Sequence, residues 1–173
     1  AKRDKIVLSD IYCFCEVFMS IQRPTVGIFT LGCKVNQYES EAIGEALERV
    51  GFTPLVISTA SRAVCDCYII NTCTVTAESD RKARQMIRRA HARNKDAYIL
   101  VCGCLAQWDA ASIAAIEGVD FVCGNRDKLS VVTELQRLWQ AGRKPTSPTV
   151  CVPSLEGAPF EAMSICHFNR TRA

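Results

Sequence analysis

The chain has 173 residues, 49% of them apolar, with a formal net charge of +3 and eleven cysteines. That is length for one domain with a tail and ample material for a core, and so small a charge permits a nucleic-acid partner without arguing for one. An odd cysteine count with no signal-peptide pattern speaks against a secreted disulfide framework, so a reduced, cytoplasmic setting is expected, with some thiols free to bind metal.

Residues 1–24 read as an extension. The apolar stretch from Ile6 to Ile21 is too short to span a bilayer and carries Asp10 and Glu16, and Met19 would serve as a natural start. "TVGIFT" (Thr25 to Thr30) is a short apolar run rich in β-branched residues, hence a buried strand. In the helix that follows, Asn36 and Glu39 have the spacing of a capping box, and Ala42, Ile43, Ala46, Leu47 and Val50 recur on one face before Gly51 ends it. "PLVIS" and "CYIIN" are strands two and three, Ala77 to Arg93 a helix, and "AYILVC" strand four. A shorter helix spans about Asp109 to Ile116, "DFVCG" is strand five, and Lys128 to Ala141 is the last helix, with Leu129, Val132, Leu135 and Trp139 as its buried stripe. "GRKPTSPT" then reads as a linker, so residues 25–142 form the domain and 143–173 a linker and lead-in to a part cut off at Ala173. This alternation predicts an α/β fold: a doubly wound, mainly parallel five-stranded sheet of order 2-1-3-4-5 with helices on both faces.

In that order strands one, three and four are neighbours, and ligands bind beyond their carboxyl ends. Cys33 follows strand one, Cys73 strand three and Cys104 strand four, so three thiols distant in sequence converge on one rim. Adjacent strands lie about 4.8 Å apart, close enough for one cluster to span them. Cys67 begins strand three, roughly 20 Å from the rim at about 3.3 Å per residue, with Cys65 just before it, and both are expected as small buried hydrophobes. Cys102 and Cys123 lie nearer, and either is a possible fourth ligand. Cys13, Cys15, Cys151 and Cys166 fall outside the domain.

"GCKVNQYESE", "YIINTCTVTAESDRKARQMIRRA" and "VCGCLAQ" resemble the N-terminal domain of radical-SAM methylthiotransferases, over about Val26 to Val150. The resemblance implies that Cys33, Cys73 and Cys104 hold an auxiliary [4Fe–4S] cluster, whose fourth iron stays open for the sulfur to be inserted. It implies a complete enzyme with a second [4Fe–4S] cluster and S-adenosylmethionine in a barrel that "FEAMSICHFNRTRA" would lead into, a sulfur donor, and tRNA as substrate. "GCKVNQ" with "NTCTVT" matches the branch that modifies C2 of N6-threonylcarbamoyladenosine beside the anticodon. Members acting on isopentenyladenosine usually read GCQMN there, and those acting on a ribosomal protein GCPKN. Cys102 stands where the family more often has Thr or Val. This chain alone, without a CxxxCxxC motif, is expected to be inactive.

Asn71 and Thr72, just before Cys73, either donate hydrogen bonds to cluster sulfurs or only shape the turn, and Asn36 either contacts the cluster or caps its helix. Gly32 and Gly103 let the backbone pass close by. On the helix after Cys73, Arg81, Arg84 and Arg88 belong to a basic face that either meets tRNA phosphates or is merely solvated. His91 and His167 have no partner motif and are expected at the surface. Two other functions remain open. A zinc-binding module would want ligands in close pairs, and a flavodoxin-like nucleotide-binding module a phosphate-cradling loop after strand one.

Overall fold

The computed structural model describes residues 23–74, 76–154, 163 and 165. Strand β1 (Thr25–Thr30) leads through Leu31, Gly32 and Cys33 into helix α1 (Lys34–Arg49), and β2 (Thr53–Ile57) returns beside it. β3 (Cys67–Thr72), α2 (Ala77–Arg93) and β4 (Tyr98–Gly103) repeat the unit. Two short helices follow, α3 (Cys104–Trp108) and α4 (Ala110–Ala114), then β5 (Val119–Cys123), α5 (Ser130–Ala141) and β6 (Thr149–Cys151). All neighbouring strands pair in parallel, in the order β2-β1-β3-β4-β5-β6.

The alternation and the first five positions are as the sequence predicts, but the sheet has six strands rather than five. The extra strand, β6, lies in the stretch expected to be linker. Its three residues are all exposed and sit between Pro148 and Pro153, too few to show a period of two. Lys144 fastens the preceding loop to the sheet, donating to the Ala97 carbonyl at 2.6 Å and pairing with Asp120 at 3.0 Å. Asp120 sits where β4 and β5 slip in register, and its carboxylate accepts the Ile99 N–H at 2.8 Å. Burial pushes its carboxyl up despite the lysine.

Alternate strand residues divide between two cores, as a sheet covered on both faces requires. Tyr68, Ile70, Ile99 and Val101 meet Met86, Ile87, Leu105 and Ile113 on the side of α2, α3 and α4. Ile28, Ile69, Leu100 and Cys102 meet Ile43, Leu47, Val131 and Leu135 on the side of α1 and α5. Each such side chain contributes about 1.5–3 kcal/mol when fully buried, so both layers are fixed to the strands that carry the rim. The stripe of α5 is corrected at two positions, the first being Leu129, which precedes the helix and is only partly buried. Leu138 is buried where Trp139 was expected, and the indole is 41% exposed at the core edge, T-shaped against Phe52 and Tyr98 with centroids 6.0 and 6.1 Å away. His91 is also less exposed than expected, its ring lying against Gly118 and its Nε2 3.4 Å from Glu117.

Among the described residues no helix is long and apolar enough to cross a membrane. The expectations for Cys13, Cys15, Met19, Cys166 and His167 fall outside the described residues.

Candidate functional site

The carboxyl ends of β1, β3 and β4 share one edge. Thr30 pairs with Asn71, and Thr72 with Gly103. Cys73 and Cys104 therefore each stand one residue beyond a paired position, on strands about 4.8 Å apart. Cys33 is three residues past Thr30, and its loop folds back onto β3. A Cβ added to Gly32 would overlap Cys73 Sγ and stand 2.6 Å from Cys73 Cβ. None of the three cysteines is in a disulfide; Cys73 is buried, Cys104 half-buried and Cys33 exposed. Among the described residues no three His, Cys, Asp or Glu side chains are grouped as they would be around a single metal ion.

Two glycines clear this rim. Gly32 (φ +95°) and Gly103 (φ +101°) both adopt the conformation that favours glycine, and each immediately precedes a cysteine. A side chain on Gly103 would meet the Thr72 carbonyl and lie 2.8 Å from Asn71 Oδ1. Cys33 is the N-cap of α1, in extended conformation and with no side-chain capping bond. Ser, Thr, Asp or Asn there is worth about 1 kcal/mol over a non-capping residue, so the helix start forgoes that stabilisation. By contrast, Thr76 caps α2 through its side chain, accepting from Ser79 N–H at 3.1 Å.

Asn36 is not the cap. It lies inside the first turn of α1, buried, and its Nδ2 donates to the carbonyls of Leu31 (2.8 Å) and Thr72 (2.9 Å), just ahead of Gly32 and Cys73. Asn71 commits both amide hydrogens to α1, donating to Asn36 O and Ser40 Oγ at 3.0 Å each. Thr72 gives its hydroxyl proton to the Cys102 carbonyl at 2.6 Å and accepts from Ala106 N–H at 3.4 Å. These three residues thus shape the backbone around the cysteines, their donors being spent on it. Glu39 pairs with Lys128, which is fully buried and also lies 3.4 Å from Asn36 Oδ1.

The remaining thiols lie elsewhere. Cys65 and Cys67 are buried at the amino end of β3, where burial pushes both thiols up. Cys102 and Cys123 face the α1/α5 core, and a hydrogen bond to Cys123 together with complete burial raises the Cys102 thiol well above its ordinary value. Cys151 is exposed on β6. On α2, Arg81 makes two 2.8 Å bonds to Glu78. Arg84 reaches Asp80 (2.6 Å), Ser112 (2.9 Å) and Asp109 (3.1 Å), tying α2 to α4 and the residue before it. Arg88 is exposed. Sequence spacing missed the burial of Lys128 and the role of Asn125, whose Nδ2 is 3.3 Å from Cys104 Sγ. Both lie in a short polar loop whose composition signals only a turn.

Residues 25–124 match the family described as "Uncharacterized protein family UPF0004". A threonylcarbamoyladenosine tRNA methylthiotransferase of Bacillus subtilis is 39% identical over 150 residues, 86% of this chain and 32% of that protein. Its namesake in Thermotoga maritima is 40% identical over 114 residues, 66% of this chain and 25% of that one. A ribosomal protein uS12 methylthiotransferase of a Roseiflexus species is 33% identical over 114 residues, 64% and 23% of the two chains. The chain thus spans about a third or less of the length of these relatives.

Proposed function

The chain belongs to protein family UPF0004, and from that membership we propose that it is the domain of a methylthiotransferase that holds an auxiliary [4Fe–4S] cluster on Cys33, Cys73 and Cys104. The rim carries this conclusion. Three cysteines follow three adjacent parallel strands, with Gly32 packed so tightly on Cys73 that any side chain there would displace its sulfur. Cysteine thiols outside any disulfide, on a glycine-cleared edge, are the donor set that iron–sulfur clusters take. Structural zinc sites draw their ligands in close sequence pairs, a spacing that Cys33, Cys73 and Cys104 do not have. A flavodoxin-like module would want a glycine- or hydroxyl-rich phosphate-cradling loop after β1, where the sequence after Leu31 offers one glycine and then Cys33.

When bound, the cluster would supply an iron that no thiolate occupies, where the sulfur to be inserted is held. The chain's own part is to fix the three thiols and keep one side open. Asn36 locks the two backbones through the Leu31 and Thr72 carbonyls, while exposed Cys33 leaves an approach from solvent. The threonylcarbamoyladenosine enzymes range from 32 to 40% identity, against 33% to the uS12 enzyme, and the higher values within that range support tRNA N6-threonylcarbamoyladenosine as the substrate of the whole protein. In that protein a second cluster, S-adenosylmethionine and a sulfur donor complete the reaction, and the present chain alone leaves tRNA unmodified. The test joins this chain to the remainder of the B. subtilis relative, in cells lacking their own such enzyme. Mass spectrometry of tRNA nucleosides should find the 2-methylthio product with the unaltered chain and with Cys65→Ala, and none with Cys73→Ala. Product at the unaltered level from Cys73→Ala would refute the assignment.

A further inference from the structure

We infer, on the basis of the cluster assignment above, that Asn125 is a positioning residue for Cys104: its side-chain amide hydrogen-bonds the ligand sulfur and sets how firmly, and at what potential, the cluster is held there. Asn125 enters the rim from a fourth strand, in the loop after β5, and its Nδ2 lies 3.3 Å from Cys104 Sγ. The loop is clamped to hold that geometry. The Asn125 peptide N–H donates to Gln107 Oε1 at 2.9 Å, and Gln107 Nε2 donates to the Pro153 carbonyl at 3.2 Å. Gln107 stands on α3, the helix that begins with Cys104 itself. Its amide fits only because residue 124 is glycine: a Cβ there would overlap Oε1 and come 2.8 Å from Cδ. Asn125 Oδ1 is buried without a hydrogen-bond partner among the described residues, so the amide hydrogens aimed at sulfur are what fix its orientation.

An N–H aimed at a thiolate spreads the sulfur's negative charge. It therefore favours the more negative, reduced cluster and raises the potential, and it holds the sulfur in place against loss from the iron. In Asn125→Ala the donor is lost. In Asn125→Asp it is replaced by a negative acceptor. Gln107→Leu removes only the loop's anchor and touches no sulfur, so it keeps the question open to measurement if an Asn125 variant folds poorly.

The experiment loads the unaltered chain and the three variants with ferrous iron and sulfide under anaerobic conditions. It then measures iron content, reduction midpoint and the rate of iron loss to a chelator. All four should take up the same iron. The midpoint should shift negative and iron loss quicken several-fold in Asn125→Ala, further in Asn125→Asp, and in the same direction but less in Gln107→Leu. Loaded variants with unchanged midpoint and unchanged loss would overturn the role of Asn125 while leaving the cluster assignment intact. An unaltered chain that takes up no iron would overturn both.

Discussion

Lys128 closes a chain of contacts that ends on the cysteines. Its ammonium is buried against Glu39 and Asn36 Oδ1, and Asn36 holds the carbonyls ahead of Gly32 and Cys73. Replacing it with Met leaves the largely covered Glu39 carboxylate without its cation. Breaking a buried pair from one side costs about 3–5 kcal/mol, with the partial exposure of Glu39 placing this case at the lower end. Urea unfolding at neutral pH should show that loss, and adding Glu39→Gln should recover part of it. Strictly additive effects of the two substitutions would contradict the coupling. At this scale the sequence is readable where topology multiplies it. Three cysteines after three strand ends define a rim once the strand order is known. Lys128 and Asn125 are not readable that way, because "GNRDK" has no periodicity and a buried lysine looks like any loop lysine until its carboxylate partner, 89 residues away, is in view.

Helix α2 was legible almost to the residue, since Ala83, Met86, Ile87 and Ala90 recur on one face of the stretch from Ala77 to Arg93 and are the residues it buries. Its charges behave differently from a uniform basic face. Glu78, accepting hydrogen bonds from Arg81 with Lys82 also beside it, has its carboxyl lowered from 4.5 to about 2. A depressed folded value means its stabilisation is complete above about pH 4.5 and fades as pH falls through 2. Glu78→Gln should therefore lower the melting temperature slightly at pH 7, with the gap to the unaltered chain closing near pH 2. A gap constant from pH 7 to pH 2 would show that the charge contributes nothing. Arg84 is bound to two carboxylates and a serine, so its substitution would disturb α2 and α4 together. Arg88 is free of that network and is the cleaner probe. If the face guides tRNA, Arg88→Glu in the fusion described above should weaken tRNA binding several-fold at low salt, flatten its salt dependence and leave the melting temperature unchanged. Equal binding would mark a solvated face.

The sheet sets three cysteines after adjacent strand ends that no local motif could bring together. Parallel pairing of β1, β3 and β4 needs the α1 and α2 crossovers, and those crossovers separate Cys33, Cys73 and Cys104 in sequence while aligning them in space. Five strands were readable because each is a buried apolar run between helices of clear period. β6 was not, because its pairing with β5 rests on backbone hydrogen bonds that any three exposed residues can make, steadied by Lys144 on Asp120. The capping box assigned to Asn36 failed for a related reason: a polar residue at a helix start looks alike whether it caps the helix or reaches across to the next strand. The most direct measurement is iron and acid-labile sulfide per chain after anaerobic reconstitution, on the unaltered protein and on Cys33→Ala, Cys73→Ala, Cys104→Ala, Cys65→Ala and Cys67→Ala. About four irons per chain in the unaltered protein and in the Cys65 and Cys67 variants, with none retained in the other three, is the expected result. A full iron complement in Cys73→Ala, or no uptake by the unaltered chain, would contradict a cluster held on that rim.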